Sequence, residues 1–197
     1  MAPGPLLGTV VHAVAGEDGK GLGGCSDDQL IGMLSAAQRL ASRNAWTLMA
    51  AMAEFAARRS GSRPGDEFAA DELAMELHLT PLSAREQMGY ATAVSTRLPE
   101  SFAALGAGRI HPVHLRIIED ETRFLSDADA ARADAVLAQT APGTTFGEVR
   151  HAAQADPQAR PRRRPQAQGG RPRPGPRPPV PGAVRQRRDG GPRAALR

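Results

Sequence analysis

The chain is poor in several residue types, and each scarcity excludes something. There is one cysteine in 197 residues, so no internal disulfide can form and a reducing cytoplasm is the expected compartment. Aromatic residues make up only 4%, against 41% apolar residues dominated by alanine. A sheet would favour β-branched and aromatic side chains, whereas alanine suits closely packed helices. Long apolar runs are missing too. The one near the start, Leu6 to Val14, has no basic flank and contains Gly8 and His12, so neither a signal peptide nor a membrane span is expected.

The formal charge of +4 hides two opposite populations. Residues 160–197 hold twelve arginines against one acid, Asp189, while residues 1–159 carry 13 basic and 20 acidic residues. The folded part is therefore acidic, and the high isoelectric point belongs to the tail.

What is present is helix pattern. From Ser26 to Arg59 apolar residues recur at steps of three or four: Leu30, Leu34, Ala37, Ala41, Ala45, Leu48, Met52 and Phe55. This is the repeat of one helix face. Ser26 and Gln29 have capping-box spacing, Asp27 and Asp28 open the first turn, and Arg58 and Arg59 close the last. The spacing predicts one helix of about 50 Å, buried on that stripe and exposed at Arg43. Residues 1–25, with seven glycines, read as a flexible leader.

Further capped segments follow in order. A second helix from Asp66 to about His78 is expected to bury Phe68, Leu73, Ala74 and Leu77. Thr80-Pro81 opens a third, burying Leu82, Met88, Ala91 and Val94, and Pro99 opens a short fourth with Phe102 and Leu105. Pro112 starts a fifth, with Ile110, Val113, Ile117 and Ile118 inward and Glu119, Asp120 and Glu121 on a solvated face. Ser126 caps a sixth helix holding Val136 and Leu137, and Thr145 with Glu148 caps a seventh that begins Phe146 to Val149. The predicted fold is all-α, a multi-helix bundle built on one long N-terminal helix, with disordered termini. Residues 159–197, rich in Arg, Pro and Gly, cannot bury enough apolar surface to offset their ordering entropy.

The runs GCSDDQLIGMLSAAQRL, DEFAADELA, RLPESFAALGAGRI and HLRIIEDET, in that order, resemble the domain-of-unknown-function 222 family over residues 26–158. The resemblance implies a helical region of the kind that stands ahead of an HNH endonuclease domain, with no established catalytic residues of its own. In the family the last helix continues into a charged stretch, where this chain turns to Pro161, Arg162, Arg163, Arg164 and Pro165. That composition is what GC-rich DNA yields when read out of frame, so the chain is read as a truncated or frameshifted copy. An HNH site needs a base histidine, a metal-binding histidine and an orienting asparagine. The only asparagine is Asn44, inside the long helix, so no enzyme activity, cofactor or metal is expected.

His111-Pro112-Val113-His114 straddles a helix start and is not read as a metal pair. The segment around Leu79-Thr80-Pro81 resembles a helix-turn-helix, whose second helix would offer Ser83, Arg85 and Gln87 to base edges, with Glu86 among them. His78 stands where that turn usually has glycine, and Asp66, Glu67, Asp71, Glu72 and Glu76 would repel phosphates. Arg162, Arg163, Arg164, Arg171 and Arg173 would bind any polyanion without sequence preference. The expected role is that of a DNA-associating or scaffolding half of an HNH-nuclease-type protein. The alternatives are a homo-oligomer joined through the long helix, or a fragment without function. No membrane and no small-molecule substrate are expected as partners.

Overall fold

The computed structural model describes residues 2–61 and 63–155. The tail expected to be disordered, with its arginines, lies outside these residues. Eight α-helices are present among the described residues, with no strand: α1 (Pro5–Ala15), α2 (Asp27–Arg59), α3 (Arg63–Glu76), α4 (Pro81–Arg97), α5 (Pro99–Gly106), α6 (Pro112–Thr122), α7 (Asp127–Thr140) and α8 (Phe146–Ala155). The all-α expectation holds.

The leader is a correction. Pro5 at the first helical position starts α1, and a short 3-10 turn, Lys20–Gly24, follows it. Leu7 is buried, and α1 packs along α2. The glycines that suggested a loose segment fall mainly after α1, where Gly16 and Gly19 take positive φ and turn the chain back.

α2 is 33 residues long and begins as its sequence dictates. The Ser26 hydroxyl accepts from the Gln29 amide at 3.3 Å, and the Gln29 side chain accepts from the Ser26 amide at 2.8 Å. Its buried face is not the expected one. Leu34 and Leu48 are 67% and 47% exposed; Met52 is buried as expected, but Ser42 is buried too, and Trp46, Met49 and Ala50 pack on the core. Arg43, expected in solvent, is half-buried: its guanidinium lies 4.3 Å from the Trp46 ring and donates to the Gly106 carbonyl at 3.1 Å. The cause is alanine, which stands on every side of α2 and leaves its three-and-four repeat nearly direction-free.

The core is built elsewhere. Val94, Leu98, Phe102, Leu105, Ile110, Leu115, Ile117, Ile118, Leu137 and Val149 form one buried cluster from α4 to α8. α2 lies against it through α4 and α5, with Trp46 set on Gly106, where an added Cβ would come within 3.0 Å of the indole. Phe68, Leu82 and Val113, expected inward, are exposed, as are Val136 of α7 and Phe146 of α8. Glu119, expected in solvent, is only 9% exposed. The α6 period explains it, because Glu119 follows the buried Leu115 by four residues and so shares its side of the helix.

One cap could not be read from local sequence. α5 begins after Leu98, which has no capping side chain. Asp134 of α7, fully buried, accepts from the Glu100 amide at 2.8 Å and the Ser101 amide at 3.0 Å. A residue 33 positions downstream thus supplies the N-terminal acceptors of α5.

Candidate functional site

Three surfaces could carry function, and the first is the α3–α4 corner. Leu77–Thr80 joins the helices, and His78 adopts φ 54°, the left-handed conformation that glycine takes most readily. Leu79 donates to the Ala74 carbonyl at 2.9 Å, and Thr80 caps α4 by accepting from the Ser83 amide at 3.2 Å. Ala69, Ala70, Ala74 and Ala84 are buried, and such small side chains let α3 and α4 approach closely. The two helices are therefore joined by a short, capped turn whose left-handed residue is a histidine.

Its recognition surface is weaker than its turn. Ser83 and Gln87 are half-buried, and the Gln87 amide donates to the Ser83 hydroxyl at 3.3 Å, so both spend polar capacity within α4. Arg85 alone of the three candidates is exposed, beside exposed Glu86 and an exposed Leu82. Glu72 is held by Arg59 of α2. Arg162, Arg163, Arg164, Arg171 and Arg173 lie outside the described residues.

The second surface is the outer face of α2. Leu34, Ala41 and Leu48 stand seven residues apart, with Ala37 and Asn44 between them and Ala51 beyond, and all six are exposed. These are the a and d positions of a heptad seam. The stripe that sequence reasoning took for the buried face is thus largely the uncovered one.

The third is the start of α6. His111 and His114 cap the helix reciprocally: the His111 Nδ1 accepts from the Val113 amide at 3.0 Å, and the His114 Nδ1 accepts from the His111 amide at 3.3 Å. Both rings pack on Phe146, with centroids at 5.4 and 4.8 Å. Histidine here does the work that serine and glutamate do in an ordinary capping box. Among the described residues no group of three or more His, Cys, Asp or Glu could hold a metal ion.

An Nδ1 that accepts a hydrogen bond cannot carry a proton, so acid should uncap α6. Burial holds the His114 imidazole below its ordinary range; neighbouring His111 adds to this, while the Thr144 carbonyl opposes it. A depressed folded-state value means the contribution is complete above the unfolded value, about 6.5, and is lost as pH falls through the lower folded one. Thermal melts between pH 7 and 5 should show falling stability. His114→Gln, which keeps an acceptor but does not titrate, should flatten that slope.

No helix among the described residues is long and apolar enough to cross a membrane. A sequence model of the family described as "Domain of unknown function (DUF222)" matches residues 31–171. No curated protein and no solved structure matches.

Proposed function

The chain belongs to the DUF222 family, and on that footing we propose that it is a non-catalytic scaffolding module that pairs with a second copy through the outer face of α2. The carrying observation is the exposed seam of Leu34, Ala41 and Leu48 at seven-residue steps. Large apolar side chains left in water along one line favour association, since covering them gains about 25 cal/mol per Å².

An antiparallel second copy fits. It sets Leu34 of one chain opposite Leu48 of the other, with Ala41 near the twofold axis. The acidic first turn, Asp27 and Asp28, then lies near the last turn of the other copy, where Arg58 already bridges Glu54 of its own helix. The two helix dipoles then oppose one another. Asn44 within the seam is a polar residue of the sort that fixes register at some cost in affinity.

Sedimentation of the full chain should show a dimer that grows with concentration. Leu34→Glu combined with Leu48→Glu should give a monomer of unchanged helix content, since both sites are exposed. A chain that is monomeric throughout, or a double variant that still dimerises, would remove the proposal.

The helix-turn-helix corner supports a second reading, DNA association, through the left-handed His78 turn alone. Sequence-specific, nanomolar duplex binding by a chain ending at Gln158, lost with Arg85→Ala, would favour it. The acids around Arg85 argue for weak binding instead.

A further inference from the structure

We propose that His111 and His114 form an acid-sensitive latch for α8: their protonation releases α8 from the body while the rest of the core stays packed. The pairing of two copies through α2 uses none of these residues.

The latch stands on geometry. Each ring accepts a backbone amide through Nδ1, His111 at 3.0 Å and His114 at 3.3 Å, so each is neutral with its proton on Nε2. Both rings rest against Phe146, the first residue of α8, and His114 is 7% exposed. The His114 Nε2 is buried with no hydrogen-bond partner among the described residues. The Thr144 carbonyl, in the loop leading into α8, is the backbone acceptor that acts on this ring. α8 and its approach therefore cover the histidines as well as the core.

A proton on either Nδ1 replaces an acceptor with a donor that faces an amide N–H. It also puts positive charge at the positive end of the α6 dipole. Lifting α8 and its loop relieves both conflicts, because the rings then reach water and can turn away. Val149 and Ala153, buried in α8, leave the core with it. Burial keeps the His114 imidazole below its ordinary range while α8 is docked. Once lifted, it returns to about 6.5, so the lifted state binds protons more tightly and acid favours it.

No other charge on the elements packed against α6 gives this response. Glu148 caps α8 through Thr145, whose amide and hydroxyl hold its carboxyl below the ordinary range, so it stays ionised above pH 5. Arg150 and Gln154 of α8 reach Glu121 of α6 at 3.9 and 3.0 Å, ties that involve no imidazole. His151 is exposed, so docking does not move it out of water. On α6 itself Arg116 pairs with Asp120 and Glu119 with Arg123, while Arg109 before it and Glu100 of α5 are exposed. On α7, Asp127 pairs with Arg97 and Asp129 with Arg132. Burial pushes the Asp134 carboxyl up, so acid favours its buried state, the opposite sign.

Amide hydrogen exchange of the full chain at pH 7 and pH 5, corrected for the intrinsic rates, tests the latch. The amides from Val149 to Ala153 should exchange faster than those of Leu105 and Leu137 at both values. They should also accelerate on acidification, by at most about 25-fold for each histidine that must be neutral when docked. Replacing the pair by His111→Asn with His114→Gln gives an ordinary capping box that does not titrate, and the acceleration should vanish. His114→Gln alone should give an intermediate response. The parent chain by itself refutes the proposal if α8 exchanges in step with Leu105 and Leu137, or if acid does not accelerate it. Acceleration that survives in the double variant refutes it as well.

Discussion

Asp134→Ala should cost the fold about 3–5 kcal/mol, because one buried and one part-buried amide at the start of α5 lose their side-chain acceptors at once. The carboxylate is fully buried, so water cannot take its place without entering the core. Asp134→Asn keeps one acceptor oxygen but turns an amide toward the second N–H, and it should fall between the two. Denaturant melts of the three chains order them. A pH series adds a sign. Burial pushes the Asp134 carboxyl above its ordinary range, while Ser101 and the Glu100 amide pull it down. A carboxyl with a raised folded value contributes most below its unfolded value and loses that contribution as pH rises. The gap between parent and Asp134→Ala should therefore widen from pH 7 toward pH 4. A gap that narrows on acidification would show that the amide bonds, not burial, dominate the titration.

Ile118→Ala should cost about 2–5 kcal/mol, the range for a large side chain removed from a packed site. Ile118 is fully buried between Leu115 and Thr122 of its own helix, within the cluster that includes Leu105, Leu137 and Val149. Leu48→Ala, in the same measurement on dilute chain, should stay under about 1 kcal/mol, since nearly half of its surface already faces water. Reading the helical period of α2 alone removes this difference, because it places Leu48 inside as well. Equal costs at both positions would mean that α2, not α4 to α8, holds the core.

These two residues mark what could be read in advance. The helices were legible because caps are local: Ser26 with Gln29, Thr80 before Pro81, Ser126 before Asp129 and Thr145 with Glu148 all cap as their spacing demands. Faces were legible where large and small side chains alternate, as at Ile117 and Ile118 of α6. They were illegible where alanine surrounds the helix, as in α2, or where a helix is covered on one side only, as at Phe68 and Leu82. The cap from Asp134 depends on contacts between helices distant in sequence, and no local pattern announces it. The α6 capping pair has a signal, an H-x-x-H with proline at the first helical position, which marks the helix start but not that the two rings themselves supply the caps.

The core cluster begins at Val94 and ends at Ala153, while the longest helix ends at Arg59. Synthesis runs from the N-terminus, at about 5–20 residues per second, so α1 and α2 leave the ribosome seconds before the helices that cover them exist. During that interval α2 offers Trp46, Met49 and Met52 to solvent along with its outer seam. The nascent chain is then at its most adhesive. Val149 and Ala153, buried in α8, are the last pieces of that core to appear. Folding of this chain is therefore gated by the arrival of its final described helix.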